Sequence, residues 1–177
     1  YTATFEKRIQ ALATAHEMVG DSGLQWARLV NMLEVELKPY QDENKRVALE
    51  GPPVAVSSDV APLLALMIHE LTSNADKHGA LGPQGERLQV TWDYKGSGLT
   101  LNWVESVSTK LSPPKRQGFG ISLIQRAVPH ECGGECTLSF REDGLAVRFW
   151  LPANAIHELP ERKRAKRVER KKSSSDS

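Results

Sequence analysis

The sequence predicts an α+β fold, a two-layer sandwich in which a mostly antiparallel sheet is covered by helices. Three observations predict it. Apolar residues recur at helical spacing in several stretches. Four strand-like stretches fall into two hairpins around short polar turns. Helix and strand signals are interleaved in the order two helices, strand, helix, two strands, loop, helix and two strands.

Taken in order, "FEKRIQALATAHEMV" places Phe5, Ile9, Leu12, His16 and Val19 on one face of a first helix, which Gly20 to Gly23 break. Trp26, Leu29, Val30, Leu33 and Leu37 mark a second helix that Pro39 stops. "RVALEGPPVAV" alternates around a Gly-Pro-Pro kink and predicts two short extended segments. Ser57 or Ser58 is placed to cap a long helix whose buried face is Leu63, Leu64, Leu66, Met67, Leu71 and Ala75 and whose end is Gly79. "RLQVTWDY" and "LTLNWVES" flank "KGSG" as a hairpin. Val107 to Gln117 carries two prolines and no periodicity, which predicts a loop. "GFGISLIQRAV" is a Gly-rich entry into a helix, and "ECTLSF" and "LAVRFWLP" close as a second hairpin about "REDG". Beyond Pro152 the pattern fades into a charged tail that reads as disordered or as a solvated helix.

Composition narrows the classes. A hydrophobic content of 40% in 177 residues is enough for a core, and the formal net charge is only +1. The charge is uneven: 8 Lys and Arg stand against 4 Asp and Glu from Glu158 onward, and 15 against 18 before it. Cys132 and Cys136 are the whole cysteine complement, and with Gly-Gly between them they read as thiols around a turn rather than as a zinc site. No apolar run approaches the roughly 18 residues of a membrane span, and the first residues lack signal-peptide architecture, so the expected location is cytoplasmic. A division into 1–40 (helical), 41–155 (sandwich) and 156–177 (basic tail) follows.

The chemistry concentrates in "HELTSNADKHGAL". Glu70, Asn74, Lys77 and His78 lie at i, i+4, i+7 and i+8, on one side of the long helix. Glu and Asn one turn apart can hold a hydrated Mg²⁺, while Lys77 and His78 suit phosphate charge. A solvated helix face with its own charge network is the competing reading. Gly118, Phe119 and Gly120 open the next helix, where backbone amides and the dipole can face a phosphate. Glu105, at the end of a hairpin strand, can accept a hydrogen bond from an exocyclic amine such as that of adenine; an exposed strand-end acid is the alternative.

In this order the segments resemble the ATP-binding (GHKL, or Bergerat) domain of histidine kinases, specifically the HWE subgroup. The resemblance rests on His69 at the head of "HELTSNADKHGAL", on Trp103-Val104-Glu105, on "GFGISLI" and on "GLAVRFWLP", and it covers roughly Phe5 to Pro152. "FEKRIQALATAHEMV" is similar to the second helix of the family's dimerisation and phosphotransfer hairpin. The resemblance implies ATP and Mg²⁺ as ligands, Asn74 as the Mg²⁺ ligand, and Glu70 in support of the metal or of the attacking histidine. It further implies Lys77 and His78 on the phosphates, Glu105 on the adenine amine, and Gly118 to Gly120 in a closing lid. His69 is a family marker best read as a supporting or packing residue, and Trp103 as core or pocket wall. The phosphoacceptor is unknown and is expected upstream of Tyr1; His16 falls in the wrong helix. The implied partners are a response regulator and, in a parent protein, a second copy. After Glu105 the chain reads Val107-Ser108-Thr109 where the family has Gly-Gly-Pro, so a nucleotide-poor adaptor that binds a response regulator or a sigma-factor regulator stands as the alternative. "KRAKRVERKK" lacks interleaved aromatics, which speaks against specific nucleic-acid recognition.

Overall fold

The computed structural model describes residues 26–41, 46–108 and 119–160, with Ala13 alone from the first segment. The first predicted helix, most of the loop before Gly118, Gly118 itself and the tail beyond Pro160 lie outside the described residues.

The element order is β1 (Trp26–Arg28), α1 (Leu29–Leu37), a 3₁₀ turn (Lys38–Tyr40), β2 (Val47–Glu50), β3 (Val54–Ser57), α2 (Ala61–His78), β4 (Gly85–Lys95), β5 (Gly98–Val107), α3 (Phe119–Cys132), β6 (Glu135–Arg141), β7 (Gly144–Pro152), a 3₁₀ turn (Ala153–Ala155) and β8 (Ile156–Glu158). Five strands form the main sheet in the order β2-β4-β5-β7-β6, and three short ones form a second sheet, β1-β3-β8. Only β2 and β4 run parallel within the main sheet; the other neighbours are antiparallel, as in linked hairpins. This is the α/β sandwich expected from the sequence.

The core is continuous from helix to sheet. Leu64, Met67, Leu71 and Ala75 of α2 join Leu88 and Val90 of β4, Leu99, Leu101 and Trp103 of β5, and Val147, Phe149 and Leu151 of β7 in one cluster. Helix α1 contributes Leu29, Met32, Leu33 and Leu37 to the same cluster. Period-2 alternation turns Leu99, Leu101, Trp103, Glu105 and Val107 inward along β5.

Three local expectations are corrected. Trp26 to Arg28 are a strand, not the first turn of a helix, because their backbone pairs with Ser57 to Ala55 of β3. Neither Ser57 nor Ser58 caps α2: the N-cap is Val60 with no side-chain bond, Ser57 belongs to β3, and a proline in the first turn starts the helix. Order also continues past the expected boundary at residue 155, since β8 pairs with β3 from Val54↔Glu158 to Val56↔Ile156. The Gly-Gly between the cysteines is a turn, with Gly133 at φ 61° ending α3.

Candidate functional site

Helix α2 presents three kinds of surface. Its apolar side faces the core. On another, the His69 imidazole Nδ1 lies 3.2 Å from the Glu36 carboxylate of α1, and the Tyr40 hydroxyl donates to Asp76. Burial, followed by the charge of Asp76, pushes the Tyr40 hydroxyl above its ordinary pKa. The third carries the stripe singled out in the sequence. Glu70 is buried and is not without a partner. Asn74 is half-buried, Lys77 and His78 are exposed, and the Lys77 ammonium donates to Ser73 Oγ at 2.9 Å. Lys77 and His78, in the last turn, also complement the negative end of the helix dipole.

A cavity of ≈ 150 Å³ opens at the C-terminal end of this helix, lined by Lys77, His78, Gly79, Gly82, Pro83, Gln84 and Val107. It brings the two predicted phosphate contacts to the end of β5; Asn74 sits one turn back and does not line it. The cavity is smaller than the roughly 300 Å³ at which small-molecule sites begin, and of the residues expected in a lid Gly118 lies outside the described residues. Phe119 and Gly120 begin α3, as the Gly-rich entry predicts.

The turn from α2 to β4 is wound on one carbonyl. The amides of Gly79, Leu81 and Gly82 all donate to Ala75 O, at 2.9, 3.0 and 3.1 Å. The amide skipped in that series, Ala80 N, donates instead to Glu105 Oε2 at 3.0 Å. The other oxygen, Oε1, accepts from the Trp103 indole Nε1 at 2.9 Å. Glu105 is 2% exposed and Trp103 0%, so the exposed strand-end alternative does not describe this acid. Burial holds its carboxyl above the usual carboxylate range, against the opposing pull of the Trp103 and Ala80 hydrogen bonds.

After Glu105, Val107 completes β5, its amide donating to Asp143 O at 2.9 Å. Both the amide and the hydroxyl of Ser108 donate to Gln84 O at 3.1 Å. Where the family has its first two glycines, Val107 thus ends the strand and Ser108 fastens it to Gln84, which lines the cavity. The sequence reading missed Glu36 as the partner of His69, and Ala80 and Gln84 as backbone participants. The Gly79, Gly82, Gly85 spacing was the available signal for a tightly wound turn.

The HWE histidine kinase family profile matches residues 1–53. A blue-light-activated histidine kinase of Brucella anthropi is 30% identical over 156 residues, covering 85% of this chain and 32% of that protein. The chain is thus similar to HWE histidine kinases, to the family profile over its first 53 residues and to this relative over 156. The namesake of Brucella abortus is 29% identical over 153 residues. The chain thus spans about a third of the length of the curated relatives it matches. Among solved structures, the histidine kinase domain of the Erythrobacter litoralis EL346 blue-light-activated kinase superposes with a TM-score of 0.63 at 16% identity, covering 84% of this chain and 74% of that one. The mycobacterial sensor histidine kinase MprB gives 0.53 at 17%, covering 72% and 95%. These likenesses show the histidine kinase catalytic fold.

The three residues that carry the HWE resemblance all make contacts to protein groups: His69 to Glu36, and Trp103 to Glu105, which in turn holds Ala80. Among the described residues no group of three or more His, Cys, Asp or Glu is arranged to hold a metal ion. An Asn with a carboxylate one turn before it is a sparse donor set, which suits Mg²⁺, a cation that retains most of its waters. No described helix is long and apolar enough to cross a membrane.

Proposed function

We propose that this chain is the ATP-binding catalytic region of a two-component sensor histidine kinase. MgATP would lie between α2 and the segment from Glu105 to Gly120. Asn74 holds the metal through its amide oxygen, and Glu70 supports it or orients the attacking histidine. Lys77 and His78, at the mouth of the cavity, take the phosphates. Gly118, Phe119 and Gly120 would let a lid close on the nucleotide, and the adenine end would lie toward the turn that Glu105 holds. Bound Mg²⁺ would neutralise charge on the phosphates. The chain's own residues supply alignment of the γ-phosphoryl with a histidine that lies outside the sandwich. Relay to an aspartate of a response regulator follows from the same reading, as does dimerisation through the helical segment before residue 40.

The observation that carries this is the stripe Glu70, Asn74, Lys77 and His78 on α2, running toward a cavity in a histidine kinase fold. Calorimetric titration of the chain with ATP in the presence of Mg²⁺ tests it. Saturable binding is expected, and Asn74→Ala should weaken it by about tenfold or more, the loss of one strong polar contact. Absence of binding by the unaltered chain would return the nucleotide-poor adaptor, which the histidine kinase relatives do not favour.

A further inference from the structure

The Ala80 amide is a buried donor at a helix end, on a residue that is 0% exposed. Its neighbours Gly79, Leu81 and Gly82 share the Ala75 carbonyl, and Glu105 Oε2 is the acceptor that the Ala80 amide meets. An unpaired buried amide is costly, so this turn depends on a carboxylate that comes from a strand 25 residues away. The space for that carboxylate exists because residue 79 is glycine: a Cβ there would collide with Glu105 Oε2. The carboxylate is in turn aimed by the Trp103 indole, two residues back on the same inward row of β5.

We propose that Glu105, held by Trp103, is a positioning residue: it seats the turn between α2 and β4 against β5 and so sets the cavity wall at Gly79, Gly82 and Gln84, instead of meeting the nucleotide base itself. Both carboxylate oxygens are engaged by protein donors in a side chain sealed from solvent. A base-reading acid presents at least one oxygen to the pocket. The nucleotide part of this inference rests on the function proposed above.

Trp103→Phe keeps the ring and removes the indole donor. Glu105→Gln keeps the shape and leaves one oxygen for two donors. The full chain and both variants are compared by amide hydrogen exchange over residues 79–85, with β7 as the internal reference for an intact fold. Affinities are measured for MgATP and for the inosine analogue, in which a carbonyl replaces the exocyclic amine. The expected result is exchange at the amides of Ala80, Leu81, Gly82 and Gln84 faster by about tenfold in both variants, with β7 unchanged. ATP and inosine triphosphate should weaken by a common factor, within about twofold of each other. Unchanged exchange in both variants overturns the proposal. So does a loss of affinity confined to ATP, which marks a direct contact to the amine. If the unaltered chain binds neither nucleotide, the kinase reading fails while the exchange result still decides the role of Glu105.

Discussion

Glu105 shows how a single side chain links stability to the site. Its carboxyl is held above its ordinary value of 4.5, chiefly by burial. A carboxyl whose pKa rises on folding binds more protons folded than unfolded. It therefore favours the fold below about 4.5 and loses that advantage as the pH climbs through the raised value. Glutamine cannot titrate. Relative to Glu105→Gln, the unaltered chain should thus lose stability as the pH rises from about 4.5 toward neutrality, read from urea midpoints at a series of pH values; a difference flat across that window would refute the buried ionisation. The inward position of Glu105 was legible in principle: it shares the parity of Leu101 and Trp103, and a strand that buries those two buries it as well. What no parity rule reveals is the partner, because Ala80 is an amide on another element.

At the scale of elements, α2 is braced at two points along one side. His69 and Glu36 tie it to α1, and Tyr40 with Asp76 ties it to the 3₁₀ turn after α1. The His69 and Glu36 side chains are 15% and 24% exposed, so screening keeps the link modest. A double-mutant cycle of His69→Ala with Glu36→Ala should give a coupling of about 0.5 kcal/mol in unfolding free energy. A coupling of zero would leave the imidazole a packing group. Helix α2 itself was visible from its apolar period and its terminal glycine. Its start was not, since Ser57 and Ser58 satisfy the composition of a cap while strand pairing claims the first of them. Trp26 likewise sits at helical spacing from Leu29 and Leu33, yet antiparallel pairing with β3 overrides that spacing for three residues.

For the molecule as a whole, the small sheet β1-β3-β8 closes the chain on itself. Strand β8 lays Ile156 into the core beside Val54 and Val56, and the ring of His157 lies 5.3 Å from that of Trp26. A chain ended at Ala155 loses one buried isoleucine and the pairing of β3 with β8. It should be less stable by about 2–4 kcal/mol, measured by denaturant unfolding, and more susceptible to proteolysis between Trp26 and Ser57. An unchanged midpoint would show that β3 needs no partner on that side. A three-residue strand has no period to read, and its partner lies about a hundred positions earlier in sequence, so only the fold exposes it.

The sequence by itself determined the class of fold, the two hairpins, the long helix with its polar stripe, and the family that the chain resembles. Those are properties of period, turn chemistry and local spacing, which act within a few turns of chain. Only the tertiary structure decided that Glu105 is enclosed, that His69 meets Glu36, and that the cavity is walled by the turn after Gly79. Each of these depends on a buried polar group finding an acceptor or donor from a distant element, and satisfying such groups is a condition on the packed molecule, not on any segment.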